Sequence, residues 1–291
     1  MLSLLMLPLA ACKAGEPADS GAKDPEPSPT AETDTRLTPP NAEDMTELEK
    51  LFTELGYEYW VIDPKLSKKK IGRLIDEELE KGRLEGYTPV VVPCALGDRD
   101  LLLESISYRL EDGFDIETEL KKPLEDGKSV LEARAEAFSE TYGISVKSML
   151  AQAGDGFDGF DSSAGEETYS GLQVSSMYGE SRLILIKLPT VNPWEAAIYI
   201  PFGGFNECPE PSEMAAVLKY WYEKYGAVPA VITFDTLDCR LTVPIPEADA
   251  DAVLEEMAIF DIDIVEMIMM SSPEGFKKAL TESHIWSFWW D

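Results

Sequence analysis

Residues 212–243 read SEMAAVLKYWYEKYGAVPAVITFDTLDCRLTV, and this stretch decides the fold class. Met214, Val217, Leu218, Trp221, Tyr222 and Tyr225 recur at i, i+3, i+4, i+7, i+8 and i+11, one face of an amphipathic helix over 212–225. Gly226 follows, the residue type that most readily ends a helix in the left-handed conformation. The composition then turns to Val, Ile, Phe and Leu over 228–234 and 237–243, two strands joined across Asp235-Thr236 as a hairpin. A helix set directly before paired strands predicts an α/β or α+β protein, a mixed sheet flanked by helices.

The flanks extend this pattern. Residues 182–188 read as a strand, 193–195 as a short helical turn, and 201–205 as a tight loop around Gly203-Gly204. Helices over 247–260 and 273–283 lead to a terminal strand. There Trp286, Phe288 and Trp290 face one way, and Ile285, Ser287 and Trp289 the other. One face is core; the second is core or a recognition surface, and so apolar a strand favours core on both. Farther upstream, a helix over 43–55 stops at Gly56, a strand covers 57–62, and Ser67 caps a helix to Gly82. A short buried strand at 88–93, a helix from Asp98 or Asp100 to Leu110 and another over 129–142 continue a βαβ-like alternation. Gly, Ser and Asp dominate 151–179, which predicts a boundary between an N-terminal α/β region at 43–150 and a C-terminal domain at 180–291.

The first residues carry an address. Leu2 to Ala10 is almost wholly apolar, too short to span a bilayer but of signal-peptide length, and it ends at small residues. Leu9-Ala10-Ala11-Cys12 resembles the bacterial lipobox, which implies a signal peptide at 1–11 and a lipid on Cys12. No Lys or Arg precedes the apolar run, so the start codon is expected farther upstream. Residues 12–42 are rich in Pro, Ala, Glu, Asp, Thr and Ser, a composition that buries too little surface to offset chain entropy. They read as a disordered tether. The expected location is the cell envelope, lipid-anchored, with the folded part extracytoplasmic and the lipid as the sole membrane contact.

Charge narrows the partners. Fifty-five acidic against 25 basic residues give a net charge of -30, which excludes nucleic acid, whose affinity comes from Lys and Arg. A basic protein partner fits this balance. Cys94, Cys208 and Cys239 remain after Cys12; no Cys-x-x-Cys pair exists, and small buried hydrophobes are the better account of them.

Four motifs in order carry a family likeness: Asn192-Pro193-Trp194-Glu195; Pro201-Phe202-Gly203-Gly204-Phe205-Asn206-Glu207-Cys208-Pro209; Lys219-Tyr220-Trp221-Tyr222-Glu223-Lys224-Tyr225-Gly226-Ala227; and Trp286-Ser287-Phe288-Trp289-Trp290-Asp291. Over about its last 110 residues the chain resembles the bacterial family called domain of unknown function 4253. That resemblance implies a fold and no chemistry. Members of the family generally look like proteins without an export signal, so the lipobox is a departure.

The chemical constellations are sparse. His284 is the one histidine, so any Ser-His-Asp triad would need it, and no Gly-x-Ser-x-Gly elbow presents a nucleophile. Glu195, Glu207 and Asp235 lie in family-like motifs and form the candidate set for carboxylate-dependent hydrolysis, against their ordinary use in caps and turns. Asp155, Asp158 and Asp161 are oxygen donors for calcium, but their three-residue spacing departs from the alternate positions of an EF-hand. Gly203-Gly204 lacks the Lys-Ser/Thr of a phosphate loop; its glycines more simply let Phe202 and Phe205 approach a neighbour. Trp194, Phe202, Gly203, Gly204, Phe205, Asn206, Trp286 and Trp289 form the candidate binding set, since aromatic anchors dominate recognition surfaces. No cofactor is expected. The balance favours a binding module over an enzyme.

Overall fold

The computed structural model describes residues 34–95, 100–152, 169–172, 181–265 and 273–291. Thr35–Asp291 forms one compact unit. Its centre is a mixed sheet of β1 (Leu37–Thr38), β2 (Glu58–Ile62), β3 (Thr88–Ala95), β4 (Ser181–Leu188), β5 (Val228–Ile232), β6 (Thr236–Arg240) and β7 (Ile285–Trp289). Their spatial order is β1-β2-β4-β3-β5-β6-β7. Only β3 and β5 pair in parallel; every other neighbouring pair is antiparallel.

The topology bears on three expectations. β2 and β3 run in the same direction, as a βαβ crossover requires, but β4 lies between them, with Glu58 opposite Lys187 on one side and Thr88 opposite Leu188 on the other. The boundary expected over 151–179 therefore falls within one unit: strands from both sides of it share one sheet. The stretch 12–42, expected as tether throughout, contributes β1, where Leu37 pairs with Ile62 and Thr38 with Val61. Pro39-Pro40 then removes the next donors and stops the edge strand.

Helices form where caps and apolar spacing agree. α1 (Glu47–Glu54) starts later than its apolar positions alone predict, because Thr46 and Glu49 make a capping box. α2 (Lys68–Glu85) follows β2, and α3 (Leu101–Glu111) starts at Asp100, whose carboxylate accepts from Leu102 and Leu103 N–H. The short α4 (Ile116–Lys121) and α6 (Val146–Gln152) offer too few turns for periodicity to reveal. α5 (Gly127–Tyr142) is capped by Asp126, and its first residue touches the next long helix. After β4 come α7 (Ala196–Tyr199), α8 (Pro211–Tyr225), α9 (Ala250–Phe260) and α10 (Pro273–Glu282). Among the described residues no helix is long and apolar enough to cross a membrane.

Both faces of the sheet are covered. α1, α3, α5, α8 and α9 pack on one face against Val90, Val92, Ile184, Ile186, Cys239 and Phe288. α2 covers the other through Ile71, Leu74 and Ile75, joined by Tyr169 and Leu172 against Val91, Leu185 and Val231. The centre of β3 and β4 is thus apolar on both sides, which explains their unbroken Val and Ile runs. The larger core ends in an aromatic cluster. Trp221 stacks on Phe288 at 5.3 Å and meets Phe260 and Trp286 edge-on, while Trp290 closes over Phe260 at 5.6 Å. Trp286, Phe288 and Trp290 are buried as their alternation predicts; Trp289 on the opposite face stays 37% exposed. Cys94, Cys208 and Cys239 are free and buried.

Candidate functional site

The 201–210 loop is a closed structure. Gly204 N–H donates to the carbonyls of Cys208 and Pro209 at 3.2 and 3.1 Å, and Cys208 N–H returns to Phe205 at 2.9 Å. Gly203 and Gly204 both have positive φ, and a Cβ on Gly203 would sit 2.5 Å from the Pro209 carbonyl oxygen. Asn206, also at positive φ, donates its side-chain N–H to the Asp291 carbonyl.

Two arginines from the upstream half hold this loop from outside. Arg109 on α3 donates to the Gly203 carbonyl and, at 2.8 Å, to Glu210 Oε2. Arg134 on α5 donates to the carbonyls of Glu207 and Phe260. The glycine at 204 has a specific cause: a Cβ there would lie 2.1 Å from Arg109 Nη2. Gly204 thus admits a guanidinium, whereas the tightest neighbour of Gly203 is the Pro209 carbonyl of its own loop. Phe202 goes into the core against Trp290, and Phe205 lies almost parallel to Phe234 at 6.5 Å.

Beside the loop opens a cavity of about 610 Å³. The loop supplies Gly203, Gly204 and Phe205; α3 and its exit supply Glu104, Tyr108, Arg109 and Asp112; Phe234 closes the wall. A larger cavity of about 830 Å³ lies where α2 and α8 end, and no residue of the sequence-derived candidate sets lines it. Its arginines face carboxylates, Arg240 meeting Asp76 at 2.7 Å and Arg83 meeting Glu80 at 2.7 Å.

The candidate binding set is divided. Gly203, Gly204 and Phe205 line the smaller cavity, whereas Phe202 and Trp286 are core residues, 0% and 1% exposed, and present nothing to a partner. Strand alternation put Trp286 inside, and Phe202 packs there against Trp290. Trp194 packs on Tyr222 at 5.2 Å with Lys219 near its ring, and Trp289 donates its indole N–H to Asp235 at 3.2 Å. Tyr108, Arg109 and Arg134 escaped the sequence reading. Arg109 and Gly203 stand 94 residues apart, and no local motif marks such a pair.

The candidate carboxylates are taken up locally. Glu195 accepts from Thr190 Oγ1 and from Asn192 Nδ2, fixing the turn that opens α7. Asp235 is buried and accepts from Thr233 Oγ1, Thr236 Oγ1 and Trp289 Nε1, closing the β5–β6 hairpin. Glu207 is exposed, and its backbone carbonyl takes the Arg134 bond. None of the three lines either cavity described above. His284 precedes β7, and its carbonyl accepts from Leu241 N–H at 2.8 Å. Asp155, Asp158 and Asp161, and Cys12 with them, lie outside the described residues.

Two other carboxylates are electrostatically unusual. Burial pushes Asp261 up to about 7, although the Trp289, Asp263 and Ile264 N–H groups hydrogen-bond it. Burial likewise pushes Asp238 up to about 6 against the bonds from Ser287, Gly171 and Ser170. Both values exceed the ordinary aspartate pKa of about 3.9, so between these limits the folded state binds more protons than the unfolded one. Their contribution to stability is complete below about pH 4 and is lost as pH rises through 6 and 7. Thermal melts between pH 4 and 8 are expected to show a falling melting temperature, with a shallower fall in Asp261→Asn. Parallel curves for the two proteins would refute this assignment.

Residues 184–291 match the model of a family described as domain of unknown function (DUF4253). The match begins inside β4 and takes in the 201–210 loop; α3 and α5, which supply Arg109 and Arg134, lie outside it. No curated protein and no solved structure matches the chain.

Proposed function

We propose that this chain, a DUF4253 segment completed by an upstream half of its own, is a lipid-anchored module of the cell envelope that captures a basic protein partner and performs no reaction. The observation that carries the reading is charge: 55 acidic against 25 basic residues make a strongly negative surface. Glu104, Asp112 and Glu210 lie on the rim of the glycine-loop cavity, Glu210 in an ion pair with Arg109. Hydrolysis by paired carboxylates would need two of them facing a common space within about 10 Å. Glu195 and Asp235 instead accept bonds from their own turns.

The address rests on Leu9-Ala10-Ala11-Cys12 and the Pro- and acid-rich stretch after it. Cells fed a clickable fatty acid are expected to label the full chain, with the label absent from Cys12→Ala. For the partner, the purified chain is titrated with basic and acidic proteins at low ionic strength. Basic proteins are expected to bind, and to be released as salt shortens the screening length to about 8 Å at physiological strength. Equal retention of acidic proteins, or no binding of any basic one, would remove the reading.

A further inference from the structure

We infer that the family segment, residues 184–291, has no fold of its own: it is one half of an intramolecular pair and takes up its structure only on the upstream half of this chain. The sheet carries the inference. Both neighbours of β4 lie upstream, β2 on one side and β3 on the other, so within the segment β4 has no strand to bond. β5, β6 and β7 form a three-stranded run, but β3 separates that run from β4. β5 meets β3 in the one parallel pairing of the sheet, with Val91 opposite Val231. Starting the segment at Ser181, the first residue of β4, leaves this unchanged.

Without the upstream half, β4 would carry two rows of unpaired N–H and C=O groups, each of which needs a partner or water. Water could serve only by wetting the side chains too, and Ile184, Leu185, Ile186 and Leu188 are buried on the two faces of the strand. Helix packing gives a second reason. α2, which covers Leu185 and Val231, is upstream, and so is α5, whose Gly127 lies against Ala216 and Tyr220 of α8. Polar contacts cross the same seam. Tyr57 donates to the Tyr199 carbonyl at 2.8 Å, Thr88 to the Thr190 carbonyl at 2.9 Å, and Arg240 pairs with Asp76 at 2.7 Å. The segment does own the aromatic cluster of Trp221, Phe260, Trp286, Phe288 and Trp290, but that cluster packs one face of the sheet only. Collapse around it, with β3 absent, gives a compact state without fixed side-chain packing.

The test uses the full chain, with a protease recognition sequence inserted between Gly165 and Glu166 and cut after purification. The two pieces are expected to elute together as one body in buffer and to part only in urea. Returned to buffer alone, the piece carrying 166–291 is expected to show no cooperative melt and to lose the near-ultraviolet circular dichroism of its tryptophans. Adding back the other piece is expected to restore both signals. A 166–291 piece that regains them alone would overturn the inference. Amide exchange in the uncut wild-type chain tests it without an insertion. The amides of β3, β4 and β5 are expected to open together, with the free energy of global unfolding. Protection that persists in β5, β6 and β7 at a urea concentration where β2 and β3 have exchanged would equally overturn it.

Discussion

Truncating Trp221 to alanine is expected to lower the melting temperature by roughly 10 °C or more, the largest loss from any single side chain described above. Trp221 is fully buried and touches Phe260, Trp286 and Phe288 at ring distances of 5.0, 5.5 and 5.3 Å. Removing a buried aromatic side chain costs about 3–5 kcal/mol, because lost transfer energy and the cavity left behind add. Each kcal/mol moves the midpoint of a domain this size by about 2–4 °C. A second loss is polar. Trp221 Nε1 donates to Glu256 Oε2 at 3.0 Å, and Tyr220 donates to the other oxygen at 2.8 Å. Trp221→Phe keeps one ring but gives up that donor and part of the indole's packed volume, so it is expected to cost less than Trp221→Ala, about 1–3 kcal/mol. Circular dichroism melts of the two variants check this order. A Trp221→Ala protein melting within a degree or two of wild type would mean that the aromatic cluster does not hold the sheet to α8 and α9.

Gly127→Ala sets two physical effects against each other. Helix propensity alone favours alanine over glycine by about 1 kcal/mol. Packing opposes it more strongly. A Cβ on Gly127 would sit 2.2 Å from the Ala216 carbonyl oxygen and 2.7 Å from Tyr220 Cβ, both on α8. The first of these contacts is helix backbone, so relief requires the two helices to separate. The expected result is a net loss of about 2–4 kcal/mol, at or beyond the upper end of ordinary overpacking. Gly143→Ala provides the contrast. Its φ is +70° with nothing within 4 Å, so only the backbone conformation is penalised, at about 1 kcal/mol. Chemical denaturation should therefore rank Gly127→Ala as the more damaging substitution. The reverse order would mean that α5 and α8 part easily.

What was legible in the chain follows from how far each signal reaches. The α8 helix, the β5–β6 hairpin and the buried triplet of Trp286, Phe288 and Trp290 rest on periodicities within a dozen residues, and such patterns survive folding. The position of β4 between β2 and β3 rests on pairing between distant strands, which no local period encodes. The same holds for the site. Gly203 and Gly204 read as glycines that let Phe202 and Phe205 approach a neighbour, but what presses on Gly204 is Arg109, which arrives from α3 through long-range packing. Glu195 and Asp235 read as turn and cap residues first and as a hydrolytic set second, and both accept bonds from their own turns. Asp261 and Asp238 drew no notice because burial, which sets their affinity for protons, is a tertiary property.

The placement of β4 also sets a clock on synthesis. β2 and β3 are made well before β4, and in the folded sheet they run in the same direction one strand apart, with β4 between them. Neither can satisfy its inner row of backbone groups on the other, since neighbouring strands bond at about 4.8 Å and this gap is twice that. The native sheet of the first half therefore cannot be completed until the run ending at Leu188 has been made. Pairing across so long a separation is slow and leaves strand edges open to wrong partners meanwhile.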